Sequence, residues 1–206
     1  MSKVAFIGLG VMGYPMAGHL SKHYDTIVYN RTTEKSKKWI GSYNGKMALS
    51  ITNTVKEADF VFCCLGNDND LRSVLLGQEG VINSMKKGSI LVDHTTCSAK
   101  VSKEISVIAN NSKIKFMDAP VSGGQIGAEN GQLTIMCGGD EETYDKIKSI
   151  ISCYSKFSSL MGPIGSGQLT KMVNQICIAG LVRSCRGFKF FKKSKFGWKK
   201  SSRCNF

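Results

Sequence analysis

The stretch Val4-Ala5-Phe6-Ile7-Gly8-Leu9-Gly10-Val11-Met12-Gly13-Tyr14-Pro15-Met16 decides the fold. A short apolar run ends in Gly8-Leu9-Gly10-Val11-Met12-Gly13, and a helix-forming stretch follows, which reads as strand, glycine turn, helix. In that setting the three glycines permit a tight turn, close approach of a pyrophosphate and close helix–strand packing. The amino terminus of the helix favours the phosphate charge. A bare G-x-G-x-x-G is a weak signal, and a glycine turn used only for packing is the competing reading; the flanking strand and helix favour the phosphate.

Working outward, short β-rich apolar runs at 3–8, 25–30, 59–65, 89–93, 114–118, 132–137 and 154–160 alternate with helix-like stretches such as 11–22, 33–40, 98–110 and 140–151. That alternation predicts an α/β fold, a Rossmann-like, doubly wound, mainly parallel sheet. Most of the runs are almost continuously apolar, as strands covered on both faces are. Gly139-Asp140-Glu141-Glu142 puts acids at a helix start. After the turn-rich Gly162-Pro163-Ile164-Gly165-Ser166-Gly167 a strong helix is expected. Leu169, Met172, Val173, Ile176, Ala179 and Gly180 share one side of it; Lys171, Asn174 and Gln175 share another. The expected organisation is a nucleotide-binding domain at 1–163, a linker and helix start at 164–182, and a basic tail at 183–206.

The second strand ends Thr26-Ile27-Val28-Tyr29-Asn30-Arg31-Thr32, without the acid that would accept hydrogen bonds from a ribose 2′-hydroxyl. Asn30 is expected at the ribose, and Arg31, Thr32 and Lys35 at a 2′-phosphate, through charge-assisted hydrogen bonds. The cofactor expected is therefore NADP, with NAD possible. Arg31 as an ordinary solvated charge at the sheet rim is the alternative.

Three segments together resemble the β-hydroxyacid dehydrogenases, the family of 3-hydroxyisobutyrate dehydrogenase, tartronate semialdehyde reductase and glyoxylate/succinic semialdehyde reductase. They are Gly8 to Met16, Asp118-Ala119-Pro120-Val121-Ser122-Gly123-Gly124 with Ala128 and Gly131 beyond it, and Gly165-Ser166-Gly167-Gln168-Leu169-Thr170-Lys171-Met172-Val173-Asn174-Gln175. The resemblance covers residue 3 to about 182. It implies hydride transfer between a nicotinamide cofactor and a small 3-hydroxy acid or its semialdehyde, with Lys171 as the acid/base group and Asn174 orienting substrate or lysine. Such a lysine works near neutrality only if burial or nearby positive charge lowers its pKa; without the motif, an exposed helix lysine would be the ordinary reading. Ser122, Gly123 and Gly124 would hold the substrate carboxylate on backbone N–H groups, against a plain αL turn as the alternative. Leu65, Gly66 and Thr96 match cofactor-contact positions. Gln175 stands where many members have asparagine, and Gly66 where many have proline. An imine reductase or a 6-phosphogluconate-type enzyme fits less well, the former for its usual lack of the lysine, the latter for its different substrate loop.

The formal charge of +13 would ordinarily point to nucleic acid, but nine of the 28 basic residues lie in 183–206, leaving 19 against 15 acids elsewhere. Nucleic acid is not expected as a partner of the body. No apolar run reaches about 18 residues, so no membrane partner is expected. The start Met-Ser-Lys followed directly by the first strand lacks signal-peptide features, and a cytoplasmic location is expected. The eight scattered cysteines read as free thiols, and nothing suggests a metal site. Residues 183–206 contain no Ala, Val, Ile, Leu, Met or acid. They read as an out-of-frame continuation that replaces the family's all-helical second domain; a natural tail that binds an acidic partner is the alternative. Relatives with that domain are homo-oligomeric, whereas this chain would be monomeric, weakly active or inactive, and prone to aggregate through 169–182. A rival reading makes it an NADP-binding module without catalysis, its tail on nucleic acid.

Overall fold

The computed structural model describes residues 2–193, and the side chains of residues 2–183. Strand β1 (Lys3–Ile7) pairs in parallel with β2 (Asp25–Tyr29) on one side and β4 (Phe60–Cys63) on the other. β3 (Lys46–Met47) extends the sheet beyond β2, and β5 (Ile90–Asp93) and β6 (Lys115–Asp118) extend it beyond β4, all in parallel. β7 (Val121–Ser122) and β6 both meet β8 (Leu133–Gly138) antiparallel, and β9 (Ser155–Gly162) runs parallel to β8. The nine-stranded order is β3-β2-β1-β4-β5-β6-β8-β7 with β9 on β8, so the expected mainly parallel, doubly wound sheet is what forms. Between β1 and β4 the strand order reverses, and the carboxyl ends there open a crevice.

Side chains alternate across each strand and so feed two cores. Val4 and Phe6 enter one, with Phe62, Val92, Met117 and Ile135; Ala5 and Ile7 enter the other, with Val61, Cys63, Leu91 and Phe116. The first face is covered by α1 (Gly13–Leu20) through Met16, Ala17 and Leu20, by α2 (Thr33–Ser42) through Trp39, and by α8 (Glu141–Ile151) through Ile147 and Ile150. The second is covered by α3 (Ile51–Val55), α4 (Asp68–Leu76), α5 (Val81–Ser84) and α6 (Ala99–Asn111), with Leu71, Leu75, Val101 and Ile105 fully buried. Each such side chain contributes about 1.5–3 kcal/mol. A surface pair such as Arg72–Glu104, at 2.7 Å and more than a third exposed on both sides, contributes below about 1 kcal/mol, so burial decides stability.

Helix starts follow their capping residues: Asn67 Oδ1 accepts from the N–H groups of Asn69 and Asp70, Ser98 Oγ from Val101, and Asp140 Oδ1 from Thr143. The two-residue strands β3 and β7, and the helices α3, α4, α5 and α7 (Gly124–Glu129), are additions to the sequence-based elements. The helix expected over 11–22 starts at Gly13, because Val11 and Met12 belong to the glycine turn.

The chain divides into a unit that closes at Lys171 and a second of residues 172–206. Helix α9 (Ser166–Lys193) supplies the described part of the second unit, where Val173, Ile176, Leu181 and Val182 are exposed. The helical backbone thus continues eleven residues past 182: no proline occurs in 183–193, and Arg, Lys and Phe carry only small helix penalties. The character expected of the basic tail falls on side chains outside the described residues. Among the described residues no helix is long and apolar enough to cross a membrane.

Candidate active site

The loop between β1 and α1 is built by steric necessity. Gly8 has φ +95°, and a Cβ on it would lie 2.3 Å from the Cys64 carbonyl oxygen. At Gly13 an added Cβ would lie 2.0 Å from the Gly8 oxygen, whereas nothing lies within 4 Å of one at Gly10. The inner side of the turn is therefore filled and its outer side open, which fits a phosphate approaching backbone N–H groups at a helix start. Leu9, buried, donates its N–H to Asn30 Oδ1 at 2.9 Å, and Asn30 Nδ2 donates to the Thr32 oxygen at 3.1 Å. The expected ribose contact Asn30 thus also ties the loop to the end of β2.

Gly8, Gly10, Val11 and Met12 line a cleft of about 380 Å³ with Asn30, Arg31, Thr32 and Lys35 from the β2 end and Leu65 and Gly66 from the β4 end. Arg31 and Lys35 are exposed cations on its rim. Leu9 and Gly13 are buried and do not line it. A smaller hollow of about 230 Å³ includes Lys3, Asp25 and Lys46, which begin β1, β2 and β3, so it sits at the strand ends where such sheets do not bind ligands. Gly13→Ala is expected to destabilise the fold by about 2–3 kcal/mol in a urea titration, through overpacking against backbone. A variant as stable as the parent would contradict the tight packing of this turn.

Beyond the cleft, the start of α9 is bound to the sheet. The Asp118 carboxylate at the end of β6 is buried and accepts from the N–H groups of Gly165 at 2.7 Å and Gln168 at 3.0 Å. Burial raises its pKa and these N–H groups oppose the rise. Gly167 permits the close approach, since a Cβ there would lie 2.3 Å from the Met136 oxygen of β8. Lys171, in the following turn, is only 7% exposed. Loss of water holds its ammonium below the usual lysine range, and among the described residues no carboxylate forms an ion pair with it. A lysine so held can exchange a proton nearer neutrality than a solvated one.

Behind the β5 end, burial raises Asp93 to about 6 against hydrogen bonds from Thr95 and Cys63, and lowers His94 to about 4. His94 Nδ1 faces the Ala119 carbonyl oxygen at 2.7 Å, which can only accept, so Nδ1 carries the proton and Nε2 accepts from Tyr154 Oη at 2.9 Å. The two groups act oppositely on stability. Asp93, raised in the fold, contributes stability below about pH 4 that is lost as pH rises toward 6. His94, depressed, contributes stability above about pH 6.5 that is lost as pH falls toward 4. Asp93→Asn should therefore make the urea midpoint rise more steeply between pH 4 and 6 than in the parent; an unchanged slope would contradict the Asp93 assignment.

Ser122 is half-buried at the end of β7, and Gly123 and Gly124 follow, exposed, with φ +131° and +62°. Thr96 is exposed in the segment after β5. Neither Ser122–Gly124, Thr96 nor Lys171 lines the 380 Å³ cleft. Asn174 and Gln175 lie on α9 in the second unit. Asp70 and Val74 also line the cleft, and Asp118 and Thr95 bind Gln168 in the first turn of α9, roles that no sequence signal marks. Asp118 and Gln168 do sit inside two of the quoted motifs.

Residues 3–172 match the family model described as the NAD binding domain of 6-phosphogluconate dehydrogenase. Over 195 residues the chain is 55% identical to an uncharacterized oxidoreductase of Shewanella frigidimarina, covering 94% of this chain and 67% of that protein. With relatives named 3-hydroxyisobutyrate dehydrogenase also among its matches, the chain belongs to the β-hydroxyacid dehydrogenase family. Within this family of nicotinamide-dependent oxidoreductases it is 34% identical to the mitochondrial 3-hydroxyisobutyrate dehydrogenase of Bos taurus over 177 residues, 85% of this chain and 52% of that one. A solved 3-hydroxyisobutyrate dehydrogenase of Mycobacterium tuberculosis, with L-serine, superposes with a TM-score of 0.81 at 27% identity, covering 87% of this chain and 60% of that one. The β-hydroxyacid dehydrogenase chain described here thus spans between about half and two thirds of the length of these relatives.

Proposed function

We propose that this chain binds NADP and interconverts a small 3-hydroxy acid and its semialdehyde, with Lys171 moving the proton. The observation that carries the reading is a lysine 7% exposed, without a carboxylate partner among the described residues, in the second turn of a helix whose start is tied to the sheet by Asp118. When bound, the nicotinamide supplies or accepts the hydride. The chain's part is the rest. The Gly8–Gly13 turn receives the pyrophosphate, Asn30 the ribose, and Arg31, Thr32 and Lys35 the 2′-phosphate, while Leu65, Gly66 and Thr96 border the nucleotide. Ser122, Gly123 and Gly124 hold the substrate carboxylate, Asn174 orients substrate or lysine, and Lys171 gives or takes the proton at the substrate oxygen. The organisation into a nucleotide domain at 1–163, a lysine-bearing linker and helix start at 164–182 and a separate basic stretch at 183–206 belongs to the same reading. The relative solved with L-serine, a small hydroxy-bearing carboxylate, supports the substrate class. The test is NADPH oxidation by this chain with a panel of small aldehydes. Aldehydes bearing a carboxylate should be reduced faster than size-matched ones without it, even if turnover is weak; equal rates, or no oxidation together with no NADPH binding, would defeat the reading.

A further inference from the structure

Gln168 is fully buried, and its amide spans the backbone on either side of Thr96. Its Nε2 donates to the Thr95 carbonyl oxygen at 2.7 Å, and its Oε1 accepts from the Cys97 N–H at 3.1 Å. Thr95 Oγ1 in turn accepts from the N–H of Leu65, at 2.9 Å, and Leu65 lines the nucleotide cleft. The main-chain N–H of Gln168 is held by Asp118. An unbroken set of hydrogen bonds therefore runs from the rim of the cleft through Thr95 to a residue one turn before Lys171. Facing one carbonyl and one N–H, the position needs a donor and an acceptor on a single side chain of this length, which only the glutamine amide supplies without a charge. Thr96, between the two braced residues, is the exposed one.

We propose that Gln168 is a positioning residue, fixing the cofactor-side segment Thr95–Cys97 and the helix turn of Lys171 in one register, so that nucleotide binding and the seating of Lys171 depend on each other. The proposal rests on the reading of Lys171 as the proton-transfer group. Breaking the brace leaves a buried carbonyl and N–H unpaired and frees both segments.

The test uses the full chain with Gln168→Met, of similar length but with neither hydrogen bond, and Gln168→Glu, which keeps the acceptor for Cys97. Two quantities are read: the NADPH dissociation constant, and the midpoint of the pH dependence of Lys171 acylation followed by mass spectrometry. Gln168→Met should weaken NADPH about tenfold and raise the Lys171 midpoint by about one pH unit, as the ammonium regains water. Gln168→Glu, which sets a buried carboxylate oxygen against the Thr95 carbonyl oxygen, should weaken NADPH at least as much as Gln168→Met; affinity equal to the parent's would overturn the proposal. A folded Gln168→Met variant with both quantities unchanged would overturn the proposal. On the unaltered chain, the Cys97 amide, outside any strand or helix, should exchange its hydrogen as slowly as strand amides. Exchange at the rate of a free loop amide would overturn it even if no variant folds. A parent chain with a protected Cys97 amide but an ordinary Lys171 midpoint would instead defeat the reading of Lys171, and with it the coupling.

Discussion

Replacing Lys171 with methionine is expected to lower NADPH-dependent reduction of a small semialdehyde by about 10³-fold, within the range that a positioned acid/base group supplies. Methionine fills the same space without a titratable group, so the packing around a side chain that is 7% exposed is kept. The Lys171→Arg variant should fail as well, because a guanidinium does not release its proton at working pH. NADPH affinity should stay within about threefold, since the loss falls on the transition state and not on ground-state binding. Single-turnover rates beside fluorescence titrations separate the two. A rate within tenfold of the parent would remove Lys171 from the chemistry.

The second large effect concerns the choice of cofactor. Arg31→Ala should weaken NADPH about 10- to 100-fold, the equivalent of losing charge-assisted hydrogen bonds worth about 1.5–3 kcal/mol. NADH, which has no 2′-phosphate, should be affected about twofold or less. Arg31 is exposed, so the difference should shrink as salt rises. Lys35, on the same rim, should retain part of the affinity, and the double variant should lose more than either single one. Equal losses for the two nucleotides would defeat the assignment of Arg31 to the 2′-phosphate.

What could be read in the sequence was what local stereochemistry determines. The Gly8–Gly13 turn was legible because two of its glycines have no room for a Cβ, and because the apolar run before it and the helix after it are contiguous in the chain. The strands buried on both faces, β1, β4 and β5, announce themselves as apolar runs. β3 and β7 do not, since a two-residue strand is defined by its neighbour and not by its own residues. The polar ties at the α9 start were illegible for the same reason at longer range. Asp118 reaches Gly165 across 47 residues, and Gln168 reaches Thr95 across 73. Their residue types signal only that a polar group is present; the fold decides that it is buried and against what. His94 and Tyr154, 60 residues apart, form a buried pair that no spacing rule would connect.

A crystal structure of this chain with NADPH and a small hydroxy acid bound would show directly where Lys171 stands. Lys171 Nζ should lie within hydrogen-bond reach of the substrate hydroxyl, about 2.6–3.2 Å or through one water, and the 2′-phosphate should lie against Arg31. An ammonium turned into open solvent, away from both nucleotide and substrate, would contradict that placement.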